Sequence, residues 1–516
     1  MEAYDISKSL DEFSYARELF FRIIETLKSD KMMRAEHGEV EQEIMEQGFE
    51  LMRRLLQGHL DRRSEKETIR KWVKGSDEIE RTHRREGYTR ALESLFGEVT
   101  VTRMRYSYPG CESIFPLDAE LNLPPGKYSH GLQQIVGNES ARGAFDEAVA
   151  TLRKMTGGSV PKRQAEELTP SIATDFDTFY ATRHLDGPEE TDDLLAMTTD
   201  GKGVKMREES LREATRKAAE RKRKEGRTGS RLKPGEKSNR KRMSTVAAVY
   251  TVAPNVRTPE EVMDVLKDKG GEKSKKKSRP RPENKRAWAS LEKDPDEVID
   301  EMLCEAEHRD PEHRRKWLAV VDGAEHQLDL LKTLIRRHGV TVIIILDFVH
   351  VLEYVWKAAH AFFPADNKEA GSSKAAEKWV SEKALEILRG NAGQVAGGMR
   401  RKATKLHLSK KKRENVDKCA DYLLKYKEYL RYDEYLAAGL PIASGVIEGA
   451  CRYLVKDRME ITGACWGLEH AEAVLKLRAL RTNGDFDDYW DFHRAEEFKR
   501  HHRSRFAFYP RLEVVN

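Results

Sequence analysis

Leu318-Ala319-Val320-Val321-Asp322-Gly323, followed a helix's length later by Val340-Thr341-Val342-Ile343-Ile344-Ile345-Leu346-Asp347, decides how this chain is read. Each is a short apolar run, rich in Val and Ile, that stops on an aspartate. Runs of this length bounded by polar or turn-forming residues are fully buried strands. Between them, Gln327 to His338 spaces Leu and Ile at helical intervals, so the unit is strand, helix, strand. In open α/β sheets the functional groups gather just beyond the carboxyl ends of the strands. Two carboxylates at neighbouring strand ends are therefore candidate metal ligands, and such a site needs a third acid from elsewhere in the chain.

The bulk numbers frame that search. A length of 516 residues allows roughly three or four domains of ordinary size. Charged residues make up 35% and hydrophobic ones 39%, which argues against one compact, all-buried core. The net charge is only +5, because 93 Lys and Arg face 88 Asp and Glu; clustering, and not overall balance, must carry any argument about nucleic acid. The five cysteines (Cys111, Cys304, Cys419, Cys451, Cys465) are scattered, with no C-x-x-C pair. This argues against a disulfide framework and a cysteine-rich zinc site, and suits a reducing cytoplasm. No apolar run is long enough to span a bilayer, and the acidic start Met1-Glu2-Ala3-Tyr4-Asp5 does not resemble a signal peptide. The expectation is a soluble intracellular protein with no membrane partner.

Residues 10 to 90 read as helices, with one apolar stripe at Phe20, Ile23, Ile24 and Leu27 and another at Phe49, Leu51, Met52, Leu55 and Leu56. The stripes serve packing or a dimer contact; the basic face of Arg53, Arg54, Arg62 and Arg63 leaves direct DNA contact open. Gly97 to Tyr108 alternates with period two and reads as a strand, with Arg103 and Arg105 on one face. Pro116 to Pro125 reads as an extended loop. Helices follow near 129–141, 145–154 and 161–182, the last two split by Thr156-Gly157-Gly158-Ser159-Val160, with Pro161 at a first helical position. A helix, a glycine turn and a helix opening with Lys162 and Arg163 fit either a helix-turn-helix or plain packing.

Leu194 to Thr199 reads as a strand ending at Asp200, and Ser244 to Ala253 as another. Between them, residues 205 to 242 hold 16 Lys and Arg against 6 Asp and Glu, with Arg221, Lys222, Arg223 and Lys224 consecutive. Lys267 to Arg286 is a second basic tract. Such runs are usually solvated faces, but beside a candidate active strand they read as contacts for a nucleic-acid backbone. Arg286 to Leu291 is a third short strand and Asp296 to His308 an amphipathic helix. After Asp347 the pattern is helical from His350 towards Phe363, and residues 365 to 438 are helical and highly charged. A helix starts near Ser444, a good N-cap type, and carries Glu448 in its first turns.

The order is thus three strands, helix, strand, helix, strand, a helical insertion and a helix, with Asp200, Asp322 and Glu448 on the first strand, the fourth strand and the late helix. That is the topology of a ribonuclease-H-like fold with a DDE set. In-line displacement at a phosphodiester uses two Mg²⁺ ions roughly 3.5–4 Å apart, and Mg²⁺ takes hard carboxylate oxygens, which explains the residue types. Asp347 competes with Asp322 for the second place. Asp322 lies on the fourth strand, the expected position, which leaves Asp347 and His350, three apart at a helix start, as a supporting pair. Arg452 and Lys456, four and eight residues past Glu448, share its helical face and either hold a phosphate or offset local acids. Trp466 is a core residue or a stacking platform for an unpaired base.

At these residues the sequence resembles a known group. T-T-D-G-K-G-V (198–204), V-V-D-G-A (320–324), L-D-F-V-H-V-L-E-Y (346–354), S-G-V-I-E-G-A-C-R (444–452) and R-M-E-I-T-G-A-C-W (458–466) look like DDE transposases of bacterial insertion sequences, the ISKra-type family, with more distant similarity to Mutator-like and hAT elements. Those relatives carry a (C/D)-x-x-H motif after the second catalytic aspartate, which Asp347 and His350 match, and this favours Asp322 as the catalytic residue. Some relatives have a cysteine pair near Y-S-Y-P-G-C (106–111); this chain has only Cys111 there, so no zinc is expected.

The resemblance implies an α/β protein with a ribonuclease-H-like core, an all-helical insertion and a mainly helical N-terminal DNA-binding region. The expected divisions are 1–90, helical; 91–188, DNA-binding; 189–364, core with basic insertions at 205–242 and 267–286; 365–439, helical insertion; 440–485, the end of the core with Glu448; and 486–516, a tail. The implied activity is cleavage and strand transfer of double-stranded DNA, at terminal inverted repeats and target, by a homo-oligomer in the bacterial cytoplasm, nucleoid-associated when bound. Asp200, Asp322 and Glu448 are expected to hold two Mg²⁺, with Mn²⁺ as a substitute. Expected DNA contacts are Arg452, Lys456, Arg458, Lys162, Arg163, Arg221, Lys222, Arg223 and Lys224. The rivals are a structure-selective nuclease or resolvase on the same fold, and a domesticated, non-catalytic DNA-binding protein.

Overall fold

The structure, a computed structural model, describes residues 11–183, 188–224, 239–267, 280–363 and 371–507. Parts of the basic tracts, at 225–238 and 268–279, lie outside the described residues, as do 508–516. The chain divides into two compact units, one of 1–183 with 476–516 and one of 184–475. Among the described residues no helix is long and apolar enough to cross a membrane.

The first unit begins with helices Ser14–Lys28 and His37–Glu65. The helical reading stops there: His83–Ser94 is a strand, paired antiparallel with Gly97–Ser107. Its apolar residues are too few for a helical stripe, and the turn needs Gly97, whose φ is +117°, a region that glycine enters without strain. Arg103 and Arg105 share a face as expected, but both are engaged: Arg103 bonds Asp118 and lies over the Phe115 ring, and Arg105 donates to the Tyr88 hydroxyl at 2.7 Å. Pro116–Glu120, expected as loop, is a short helix with proline in its first turn. Helices His130–Arg142 and Phe145–Met155 match the expected segments, while the segment expected at 161–182 is two helices, Lys162–Ile172 and Phe176–Thr182, with Pro161 at the N-cap of the first. The glycine turn between the second and third of these rests on the hairpin: the Gly157 N–H donates to Leu95 O at 2.9 Å, and a Cβ at Gly157 would lie 2.6 Å from Phe96 O. Residues 486–516, expected as a tail, contain helix Phe486–His501, which buries Phe486, Tyr489, Trp490 and His493. Those positions have the three- and four-residue spacing of a packed helix face.

The second unit holds a mixed five-stranded sheet of β1 (Leu194–Lys205), β2 (Lys241–Val252), β3 (Glu283–Ser290), β4 (Trp317–Val321) and β5 (Val342–Leu346), in the order β3-β2-β1-β4-β5. The first three strands are antiparallel neighbours, while β4 and β5 run parallel to β1. Helix α1 (Pro295–Arg309) joins β3 to β4, α2 (Glu325–His338) joins β4 to β5, and α3 (Phe348–Phe362) follows β5. Every residue of β4 is buried, as the unbroken apolar run required. Helices α4 (Gly371–Leu388), α5 (Ala392–Lys405) and α6 (Lys410–Lys425) form the expected helical stretch, before α7 (Gly445–Ala450) returns to pack on β1 and β2. The core comes from the sheet: Leu195, Met197, Val246, Val249, Leu318 and Val320 are all fully buried.

Candidate active site

Strand register brings the acids together. β1 pairs with β4 as Thr198 with Val320, and β4 pairs with β5 as Val320 with Ile345. Two residues further along each strand stand Asp200, Asp322 and Asp347. Side chains two apart lie on one face, so the aspartates form a row across three adjacent parallel strands. Asp200 is not at the end of its strand, as the sequence suggested; β1 continues to Lys205 because β2 stays paired with it, Asp200 lying opposite Val246. It lies two residues past the last parallel pair, Thr198 with Val320, and that is what places it beside Asp322.

The three aspartates differ in how their oxygens are used. Asp347 is 4% exposed, and its carboxylate accepts from the backbone N–H groups of Val349 (2.7 Å), His350 and Ser444 (2.8 Å) and from the Ser444 hydroxyl. It caps α3 and ties it to the start of α7. Asp322 is half-buried and accepts through Oδ1 from the N–H of Ala324 at 2.9 Å, while the Tyr422 hydroxyl donates to its backbone carbonyl at 3.1 Å. Asp200 accepts from the N–H of Gly201 at 2.6 Å and from the Cys451 thiol at 3.4 Å. Ser444 caps no helix with its side chain; its work is to hold Asp347.

Glu448 on α7 faces the same region from solvent. Burial, then the charges of Asp347 and Asp200, push its carboxyl above the ordinary range. Burial and then Asp322, against a bond from the Gly201 N–H, do the same for Asp200. Burial and Asp200 likewise raise the Cys451 thiol. Asp200 and Glu448 therefore sit in one electrostatic neighbourhood of acids, in which these two carboxyls resist ionising. A bound cation relieves that repulsion, and hard, incompletely used carboxylate oxygens suit Mg²⁺. Asp200, Asp322 and Glu448 are not among the three-ligand groups whose ligand atoms all lie within 4.8 Å of one another. The spread is wide for one ion, since oxygens on a single Mg²⁺ are at most ~4.2 Å apart, and is compatible with two ions sharing Asp200.

The basic residues fare differently. Cys451–Lys456, straight after α7, is a π-helical turn, whose wider hydrogen-bond ring breaks the four-residue spacing. Arg452 and Lys456, expected on the face of Glu448, are both exposed, and Arg452 lies 3.6 Å from Asp457. Arg458 was expected on a DNA-facing surface; it is 2% exposed and lies over the Trp466 ring, 4.9 Å from its centroid. Trp466 is itself core, donating to Met459 O at 3.0 Å. Lys162 pairs with Asp146 and the exposed Arg163 with Glu167. Arg221, Lys222, Arg223 and Lys224 form the last turn of helix Glu213–Lys224, where cations complement the helix dipole, and Arg223 pairs with Glu208. His350 follows its expected partner Asp347, its ring edge-on to Tyr354 and Tyr422. Sequence reasoning missed Cys451 and Tyr422. Cys451, three residues past Glu448, was within reach of a helical-spacing argument; Tyr422 lies a hundred residues from Asp322 and left no local signal.

No family model matches the chain, and no curated protein does. Among solved structures, a Drosophila P element transposase strand transfer complex is similar over 69% of this chain and 79% of that chain, at 11% identity and a TM-score of 0.22. At that score the likeness carries no argument; the placement of the acids rests on strand register and side-chain contacts alone.

Proposed function

We propose that this chain is a DDE-type transposase with a ribonuclease-H-like catalytic core, cutting DNA at its element's ends and joining them to a target. The observation that carries the reading is the register row: Asp200 and Asp322 on neighbouring parallel strands, with Glu448 on α7 feeling the Asp200 charge. The strand order β3-β2-β1-β4-β5, antiparallel on one side of β1 and parallel on the other, is the arrangement such a core requires.

Asp200, Asp322 and Glu448 would hold two divalent ions, which supply an activated attacking oxygen and a stabilised leaving oxygen at the phosphodiester. The chain's own part is positional. The sheet fixes Asp200 and Asp322, and Asp347 locks α3 against the start of α7, so that Glu448 arrives from a tethered helix. The Cys451 thiol holds one Asp200 oxygen, which limits rotation of that carboxylate.

The reading is tested with duplexes carrying the DNA that flanks the reading frame, incubated with full-length protein and Mg²⁺ or Mn²⁺. Specific nicking, followed by joining of the 3′ end to a second duplex, is the expected result. Each of Asp200→Ala, Asp322→Ala and Glu448→Ala should lower both steps by roughly 10³-fold while end binding persists. Hydrolysis without joining would favour the structure-selective nuclease; binding without any metal-dependent cutting would leave a DNA-binding protein and overturn the proposal.

A further inference from the structure

Away from the row of acids, α1 and α2 pack against each other and bring three metal-binding side-chain types together. Asp300 and Cys304 are four residues apart on α1, so they share one face. His338 is the last residue of α2, just before Gly339, whose φ of +70° ends the helix. The ligand atoms of Asp300, Cys304 and His338 all lie within 4.8 Å of one another. His338 Nε2 is 2.9 Å from Asp300 Oδ1, while Nδ1 is 3.1 Å from Glu307 Oε1. The histidine ring is thus held from behind by a carboxylate, the arrangement that orients metal-ligating imidazoles.

We propose that Asp300, Cys304 and His338 form a zinc site, with Glu307 fixing the His338 ring and a fourth position open to water. Thiolate and imidazole select Zn²⁺ over the hard ions suited to the carboxylate row. The site is separate from that row and does not depend on the transposase reading. Burial first, and then the negative charges of Asp300, Glu307 and Glu301, raise the Cys304 thiol, and it is those charges that favour a cation here. Burial alone would lower the His338 imidazole, but the bonds its ring nitrogens make to Asp300 and Glu307 outweigh it and raise it. Binding displaces the thiol proton and any proton on Nε2 to solvent, and joins the two helices that follow β3 and β4. The sequence hid the site because zinc is sought through cysteine pairs, whereas here one cysteine is matched by a histidine 34 residues on.

The competing arrangement is a proton in place of the metal, with charged His338 bridging two carboxylates and Cys304 idle. Cobalt substitution separates the two. Untagged full-length protein, stripped of metal and titrated with Co²⁺, should take up one ion with a thiolate-to-cobalt charge-transfer band. Cys304→Ser should abolish that band, and Glu307→Gln should weaken Zn²⁺ binding roughly ten- to a hundredfold. Cys304 is exposed, so its serine variant should fold, which circular dichroism checks. Asp200→Asn, which removes a ligand of the other site, should keep the band. No charge-transfer band in the parent protein, or a band that survives Cys304→Ser, would overturn the site.

Discussion

Asp322 and Asp347 occupy equivalent register positions on neighbouring strands, yet their chemistry differs because of what their oxygens already hold. Four donors converge on Asp347, and removing an acceptor from buried donors costs about 1–3 kcal/mol for each group left unpaired. Asp347→Ala should therefore lower unfolding stability by roughly 3 kcal/mol or more, read by chemical denaturation. Asp322→Ala should change stability little and abolish metal-dependent cleavage. An Asp347→Ala protein of normal stability but no activity, beside an active Asp322→Ala, would exchange the two roles. The sequence brought both aspartates to notice and placed both at strand ends, but it could not rank them from bonding. The donor that saturates Asp347, Ser444, lies 97 residues away, and only the folded chain makes that contact.

At the scale of elements, apolar periodicity carried the reading well wherever burial was one-sided or complete. β4, β5, α1 and α2 fell within a few residues of their expected bounds because packing alone dictates them. It carried less where pairing with a distant partner decides. β1 runs through Asp200 into Gly201-Lys202-Gly203 because β2 holds it, and His83–Ser94 is a strand because Gly97–Ser107 lies beside it. The π-helical turn after α7 has no periodic signature, and it interrupts the four-residue spacing from which Arg452 and Lys456 are read onto the face of Glu448. An element-scale pH effect follows from His130, the first residue of helix His130–Arg142. Burial, with Arg494 and His493 adding to it, lowers its pKa from 6.5 to about 4. Above pH 6.5 the ring is neutral in both folded and unfolded chains. Below it, the unfolded chain gains a proton that the folded one refuses, so stability falls as pH drops towards about 4. The slope approaches about 1.4 kcal/mol per pH unit. His130→Gln should flatten this part of the profile in denaturant titrations between those pH values; an identical slope in both proteins would contradict the assignment.

For the whole molecule, a near-neutral net charge of +5 hides an uneven division of labour. The catalytic proposal rests on acids gathered by the sheet of the second unit, while the described basic residues are largely paired: Arg53 and Arg54 with Glu50, Lys162 with Asp146, Arg223 with Glu208. Glu50 is held down to about 2, first by its bond from Arg53. Long-range organisation was the least legible part of the sequence. The helix Phe486–His501 belongs with residues 1–183, an association that local patterning has no means to express. The central claim is that Asp200, Asp322 and Glu448 grip the same metal ions. Crystals of the full chain grown with Mn²⁺ and measured at its absorption edge test this directly. The account predicts two anomalous peaks about 4 Å apart, one touching both Asp200 and Asp322 and the other touching Asp200 and Glu448, each lost in Asp200→Asn. Manganese bound elsewhere, with these three carboxylates free of it at saturating concentration, would contradict it.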